Sequence, residues 1–201
     1  MADFNFESVS GVFWEIHEAT KRRFHSGCGS YLFDGGTYQY DATMAPKQDL
    51  LARVAAEVDS VLEIGTYLGH SLLVMLAANP KLRVTTIDIE DTFAAPAVEV
   101  IKRHFPKAKI DFVHGSSLAV LAKIADTYDL FHIDGTHEPP QVQQEWQAVL
   151  RRRSSNLVKV VFDDVDAIWS VVDDIKHSSE VVEEVVPDCR WRNAYYAVRI
   201  P

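Results

Sequence analysis

The sequence predicts an α/β fold: a doubly wound, mostly parallel seven-stranded sheet closed by an antiparallel C-terminal hairpin. Three observations predict it. Five short apolar runs rich in β-branched residues alternate with helical patterns, which is how a parallel sheet covered on both faces reads. Two further strand-like runs, Val181 to Val186 and Ala194 to Ile200, flank the turn-forming Pro187-Asp188 near the end of the chain, as a hairpin at a sheet edge would. The 201 residues, 47% hydrophobic and 24% charged, suit one domain with a full core, so 1–201 is expected to be a single unit.

Taken in order, the chain opens with Val9, Val12, Phe13, Ile16 and Phe24, which suggest one helix, and Leu50, Leu51, Val54 and Val58 suggest a second that starts near Pro46. Residues 1–45 are expected to hold the first helix and a lid segment. Between Phe24 and Tyr40, four glycines interleave with five aromatics; glycine gives backbone freedom and aromatics give adhesive surface, so this stretch is either a cover over a ligand or an ordinary packed loop. The five parallel strands are expected at Ser60 to Gly65, Arg83 to Ile89, Ile110 to His114, Tyr128 to Ile133 and Leu157 to Phe162. Three helical stripes follow from apolar spacing: Leu118, Leu121, Ile124 and Ala125; Val142, Trp146, Val149 and Leu150 behind Pro139-Pro140; and Ile168, Trp169, Val172 and Ile175.

The net charge is -9, from 29 acids against 20 bases, which argues against a general nucleic-acid-binding face. The excess lies in one stretch: Asp163 to Asp188 holds nine acids against one base, Lys176. Most of that stretch reads as a solvated helix and hairpin. Two cysteines, Cys28 and Cys189, form neither a disulfide framework nor a CxxC pair, which favours a reducing compartment. The opening MADFNFESVS lacks the basic and apolar regions of a secretory signal, and no apolar run is long enough for a membrane span. A cytoplasmic protein, with neither nucleic acid nor membrane as partner, is expected; a homo-oligomer is left open.

The most informative segment is Val61-Leu-Glu-Ile-Gly-Thr-Tyr-Leu-Gly-His-Ser71, a strand that turns directly into a helix. Gly65 permits the sharp turn, and Gly69 removes a side chain where a ligand would approach the helix start. The spacing is not the GxGxxG of pyrophosphate binding, which excludes the usual nicotinamide site, and Glu63 suits a cationic ligand better than a dinucleotide. Asp88, near the end of the next strand, is placed to accept from a ribose diol.

These residues resemble the class I S-adenosylmethionine (SAM)-dependent methyltransferases, whose first motif Glu63-Ile-Gly65-Thr-Tyr-Leu-Gly69 is similar to, over a span from about Ala45 to Ile200. The resemblance implies a Rossmann-like methyltransferase fold, with Glu63, Gly65, Thr66, Gly69 and Ser71 around the methionine part of SAM. It further implies Asp88 at the ribose and Ser116 and Ser117 beside the adenine, with Asp134 also on the cofactor side.

The fourth strand ends in Phe131-His-Ile-Asp134-Gly-Thr-His137 and the fifth in Val161-Phe-Asp163-Asp164. Adjacent strand ends lie about 5 Å apart, so Asp134, Asp163 and Asp164 are expected to converge, either as ligands of a hard divalent cation, Mg²⁺ first and Ca²⁺ or Mn²⁺ next, or as capping and solvated acids. The pattern resembles the cation-dependent O-methyltransferases of the catechol and caffeoyl-coenzyme A type, where the corresponding acids bind metal. It departs from the catechol type in two places: Asp164 stands where that type has an amide, and His137 where it has a lysine base. His137 is read as a general base for a hydroxyl, as a metal ligand, or as the partner of a local backbone group. His132 is expected to pack against a helix, and His70 to sit near the cofactor. The resemblance implies O-methylation of a small-molecule hydroxyl assisted by the cation. A metal-independent methyltransferase with another acceptor, or a non-catalytic SAM-binding module, are the alternatives.

Overall fold

The structure is a computed structural model and describes residues 3–200; Met1, Ala2 and Pro201, the ends of the expected unit, lie outside the described residues. Strands β1 (Ser60–Ile64), β2 (Arg83–Asp88), β3 (Lys109–His114), β4 (Leu130–Ile133), β5 (Leu157–Phe162), β6 (Glu180–Val185) and β7 (Ala194–Arg199) form one sheet in the order β3-β2-β1-β4-β5-β7-β6. Strands β1 to β5 are mutually parallel, while β7 runs antiparallel to both β5 and β6. All seven expected strands are present, and the closing pair forms the expected hairpin with β6 at the edge.

Helices α1 (Ser10–Ala19), α2 (Ala45–Ala56), α3 (His70–Ala78), α4 (Asp91–His104), α5 (Ser117–Leu121), α6 (Pro139–Val149) and α7 (Trp169–Ser178) cover the sheet. The side-chain alternation of each strand decides which core it feeds. Val61, Leu130, Tyr195 and Ala197 face a core shared with α1 to α4, whereas their neighbours Leu62, Phe131, Ala194, Tyr196 and Val198 face one shared with α6 and α7. None of these helices is long and apolar enough to cross a membrane.

Two expectations change. Phe24 does not belong to the first helix: α1 stops at Ala19, and Lys21 and Arg22 take positive φ values of 58° and 57°, which breaks the helical path. The Phe24 to Tyr40 stretch is chiefly packed loop, because Tyr31, Leu32, Phe33 and Tyr38 are buried in the core on the α1 side. Its glycine-rich beginning, Gly27 to Ser30, instead borders a cavity at the carboxyl edge of the sheet.

The chain reverses direction across the sheet at β1, going to β2 and β3 on one side and to β4 and β5 on the other. A crevice opens at such a switch point, beyond the carboxyl ends of the strands. Gly65 closes its floor. With φ at +91°, a Cβ there would lie 2.0 Å from the carbonyl oxygen of Asp134, while Asp134 N–H donates to the Ile64 carbonyl at 2.8 Å. The β1 and β4 ends are therefore pinched together where only glycine fits.

Candidate active site

A cavity of about 620 Å³ fills that crevice, within the range of small-molecule sites. Gly65, Thr66, Ser71, Asp88, Ser116, Ser117 and Asp134 line it, as do His70, His137, Asp163 and Asp164. Glu63 and Gly69 do not. A Cβ on Gly69 would meet the tip of Ile101 at 2.8 Å, so this glycine makes room for α4 and not for a ligand.

Glu63 is fully buried beneath the floor, and its charge is met by a hydrogen-bonded cluster. Ser71 and Thr86 hydroxyls each donate to it at 2.6 Å, and His132 Nδ1 lies at 3.1 Å. His132 Nε2 contacts the Tyr31 hydroxyl at 3.0 Å, which also accepts from Asn193 at 3.1 Å. His132 thus packs into a polar cluster and not against a helix. Burial alone would depress its pKa, but the hydrogen bond and charge of Glu63 outweigh that and hold it above the usual histidine value.

Asp88 shapes the turn itself. Its Oδ2 accepts the amides of Thr66 at 2.9 Å and Tyr67 at 2.7 Å, and Oδ1 accepts that of Glu90 at 2.9 Å. A carboxylate offers about four acceptor positions, so Asp88 keeps roughly one for a ligand. Glu90, also on the cavity wall, supplies the next acceptor. At the far end, Ser117 donates to Glu145 at 2.5 Å, and the other Glu145 oxygen is buried without a partner.

His70, at the start of α3, is fully buried between Ser30 Oγ at 2.5 Å and Tyr38 OH at 2.9 Å. Burial, with a small contribution from His17, pushes its pKa down to about 3, so it is neutral at pH 7.

The ends of β4 and β5 bring acids to the same cavity. His137 bridges two of them, with Nε2 at 3.7 Å from Asp134 and Nδ1 at 3.5 Å from Asp164. Asp164 takes a positive φ of 45°, an uncommon conformation that an aspartate tolerates. Burial and then Asp163 push the Asp134 and Asp164 pKa values up. Contact with Asp134 raises that of His137, against the effect of burial.

Asp163 does not join this set as expected. Lys47, from the first turn of α2, places its ammonium 3.0 Å from each Asp163 oxygen and 3.2 Å from the Trp191 carbonyl. Both side chains are buried. Burial would lower the Lys47 pKa, but Asp163, Asp134 and Asp164 together hold it above the usual lysine value. Among the described residues, no three His, Cys, Asp or Glu side chains are grouped to hold a metal ion. The reason is local: the edge of Asp163 that would chelate a cation already carries one. The expected Asp134, Asp163 and Asp164 ligand set does not fit a divalent ion as these side chains stand.

Lys47, Glu90, Gln141, Glu145 and Trp191 line the cavity without having been expected there, and Tyr31 joins them from the stretch read as a cover or a packed loop. Lys47 was the hardest to anticipate, because 116 positions separate it from Asp163. Glu145 carried a weak signal, an acid three residues after Val142 on the apolar stripe of α6.

No curated protein matches this sequence. Among solved structures, the chain resembles the O-methyltransferase TomG from Streptomyces achromogenes, solved in complex with SAM, at 17% identity and a TM-score of 0.69, covering 100% of this chain and 93% of that one. It resembles the SAH-bound Podospora anserina methyltransferase PaMTH1 at 13% identity and 0.69, covering 100% and 99%. It also resembles the O-methyltransferase from Bacillus cereus, in complex with SAH, at 16% identity and 0.66, covering 96% of each chain. These likenesses establish the shared fold. The family described as a methyltransferase domain matches residues 62–165, just over half of the sequence: the chain belongs to this methyltransferase-domain family.

Proposed function

We propose that this protein transfers the methyl group of SAM to a hydroxyl oxygen of a small molecule. The observation that carries the reading is one continuous cavity with two unlike walls: the glycine turn with Asp88, and the Asp134, His137 and Asp164 group. SAM would supply an electrophilic methyl group on a sulfonium, and the residues fit it. Gly65 leaves backbone where a side chain would intrude, Asp88 and Glu90 offer acceptors to a ribose diol, and the orphaned oxygen of Glu145 suits the exocyclic amine of an adenine. Glu63 and Gly69 serve from behind the wall, one by holding Ser71 and the other by seating α4.

Methyl transfer needs the nucleophile, the methyl group and the leaving sulfur in line, so positioning carries most of the catalysis. The Asp134 and His137 pair lines the same cavity as the turn and accepts the proton as the hydroxyl oxygen attacks. Trp191 and the Cys28 to Tyr31 segment border the same space. The calorimetric titration of SAM and of NAD into the protein, followed by a screen of hydroxyl-bearing acceptors for S-adenosylhomocysteine (SAH) release, tests the reading. SAM binding with turnover on a hydroxyl is expected. Tight SAM binding with no turnover on any acceptor would favour a non-catalytic binding module, and NAD binding in its place would overturn the assignment.

A further inference from the structure

We propose that Lys47 is the built-in cation of the acceptor site: its ammonium takes the place on Asp163 that a divalent ion would hold, so the site works without metal. The inference rests on the methyl-transfer reading for its meaning but not for its test. All three N–H donors of the ammonium are used, two on Asp163 and one on the Trp191 carbonyl. Its position is fixed from both ends. The Lys47 carbonyl accepts from Asn193 at 3.2 Å, and the ammonium lies 4.4 Å from the centre of the Tyr31 ring, where a cation is favoured.

A divalent ion bound by Asp163 would sit at about 2.0 to 2.6 Å from its oxygens, inside the space the ammonium fills. Along that edge of Asp163 the two cations exclude each other, and elsewhere on the carboxylate their like charges disfavour sharing it. Lys47 also answers the problem that three converging acids pose, since one buried positive charge beside Asp163 lowers the repulsion on Asp134 and Asp164. Their carboxylates, with His137, are left facing the cavity for proton transfer, where a metal-bound site would have spent them as ligands.

The test is Mn²⁺ binding, read by electron paramagnetic resonance and by melting temperature on the full chain. Wild-type protein is expected to leave Mn²⁺ free and to melt at the same temperature with or without it. Lys47→Ala uncovers Asp163 and is expected to bind one Mn²⁺ per chain, on the order of 100-fold tighter than wild type. It should also melt higher in Mn²⁺ than without it. The double change Lys47→Ala with Asp163→Asn should lose both gains. Should Lys47→Ala fail to fold even in Mn²⁺, Lys47→Gln, which keeps a donor toward Asp163, is assayed the same way. One equivalent of Mn²⁺ bound by wild type and lost in Asp163→Asn overturns the proposal, as does a folded Lys47 variant that gains no Mn²⁺. SAM titration of the wild type is read separately: its failure would sink the methyl-transfer reading and leave the Mn²⁺ outcome standing.

Discussion

Replacing Gly65 by alanine tests how the site is built. The added Cβ would stand 2.0 Å from the Asp134 carbonyl oxygen, 2.5 Å from its carbon and 2.9 Å from the Gly135 nitrogen, all backbone atoms that no rotamer change can move. The ends of β1 and β4 would have to separate by about 1 Å or more to reach a normal contact. That separation strains the hydrogen bonds from Asp134 N–H to Ile64 and from Gly65 N–H to Ile87, each worth about 1 kcal/mol. A left-handed backbone at a residue with a Cβ adds about 1 to 2 kcal/mol. The total is about 3 to 4 kcal/mol, which for a chain of this size lowers the melting temperature by roughly 10 °C. Gly69→Ala is the internal control. Its Cβ meets the flexible tip of Ile101 at 2.8 Å and touches Ala97 in ordinary contact at 3.6 Å, so backbone strain dominates and the loss is about 1 to 2 kcal/mol. Calorimetric melting of both variants and SAM titration of each are the assays. Gly65→Ala melting within about 2 °C of wild type, with SAM affinity intact, would refute the idea that this glycine sets the cavity floor.

Three further outcomes follow from the same geometry. Because contact with Asp134 holds the His137 pKa above the usual histidine value, the rate of methyl transfer should rise with pH through a midpoint above about 6.5. His137→Gln should lower the rate by about 10²-fold or more and flatten that limb; an unchanged pH profile would remove His137 from proton transfer. His70 has a folded-state pKa of about 3 against about 6.5 when unfolded. The unfolded chain therefore binds the extra proton first, and stability present above pH 6.5 is lost as pH falls toward 3. Denaturant unfolding at pH 7 and pH 5 should show His70→Asn losing about 2 kcal/mol less than wild type over that interval, and equal losses would count against a neutral buried His70. Glu145→Gln should weaken SAM binding by about tenfold, and affinity for an inosine analogue lacking the exocyclic amine should change little; an equal loss for both ligands would place Glu145 elsewhere.

The strands were legible because each is a short β-branched run with its own alternation, and both faces of the sheet need apolar residues. The α4 helix was not read from the sequence, since Pro96 sits inside it and masks the stripe of Phe93, Ala97, Val100 and Ile101. The floor of the site was legible through Gly65 and Asp88, whose turn chemistry is local. Glu63 was legible as an unusual acid but not as a buried one, because its partners Ser71, Thr86 and His132 come from three different elements. Three acids at neighbouring strand ends suggested a divalent ion, whereas the cation beside Asp163 is an ammonium. Its source was hidden, because Lys47 reaches Asp163 from the first turn of a helix that precedes the sheet, and no spacing rule links the two. Gly69 stands behind the cavity wall against Ile101 of α4, and a small residue that admits a helix and one that admits a ligand look alike in sequence.

The most direct measurement is calorimetric titration of SAM into the full chain in the presence of EDTA. One SAM bound per chain, with an affinity that neither chelator nor added Mg²⁺ alters, is the result predicted by a glycine-turn cofactor site beside an acid cluster in which Lys47 already pairs with Asp163. Absence of SAM binding, or binding that appears only when a divalent ion is restored, would contradict it.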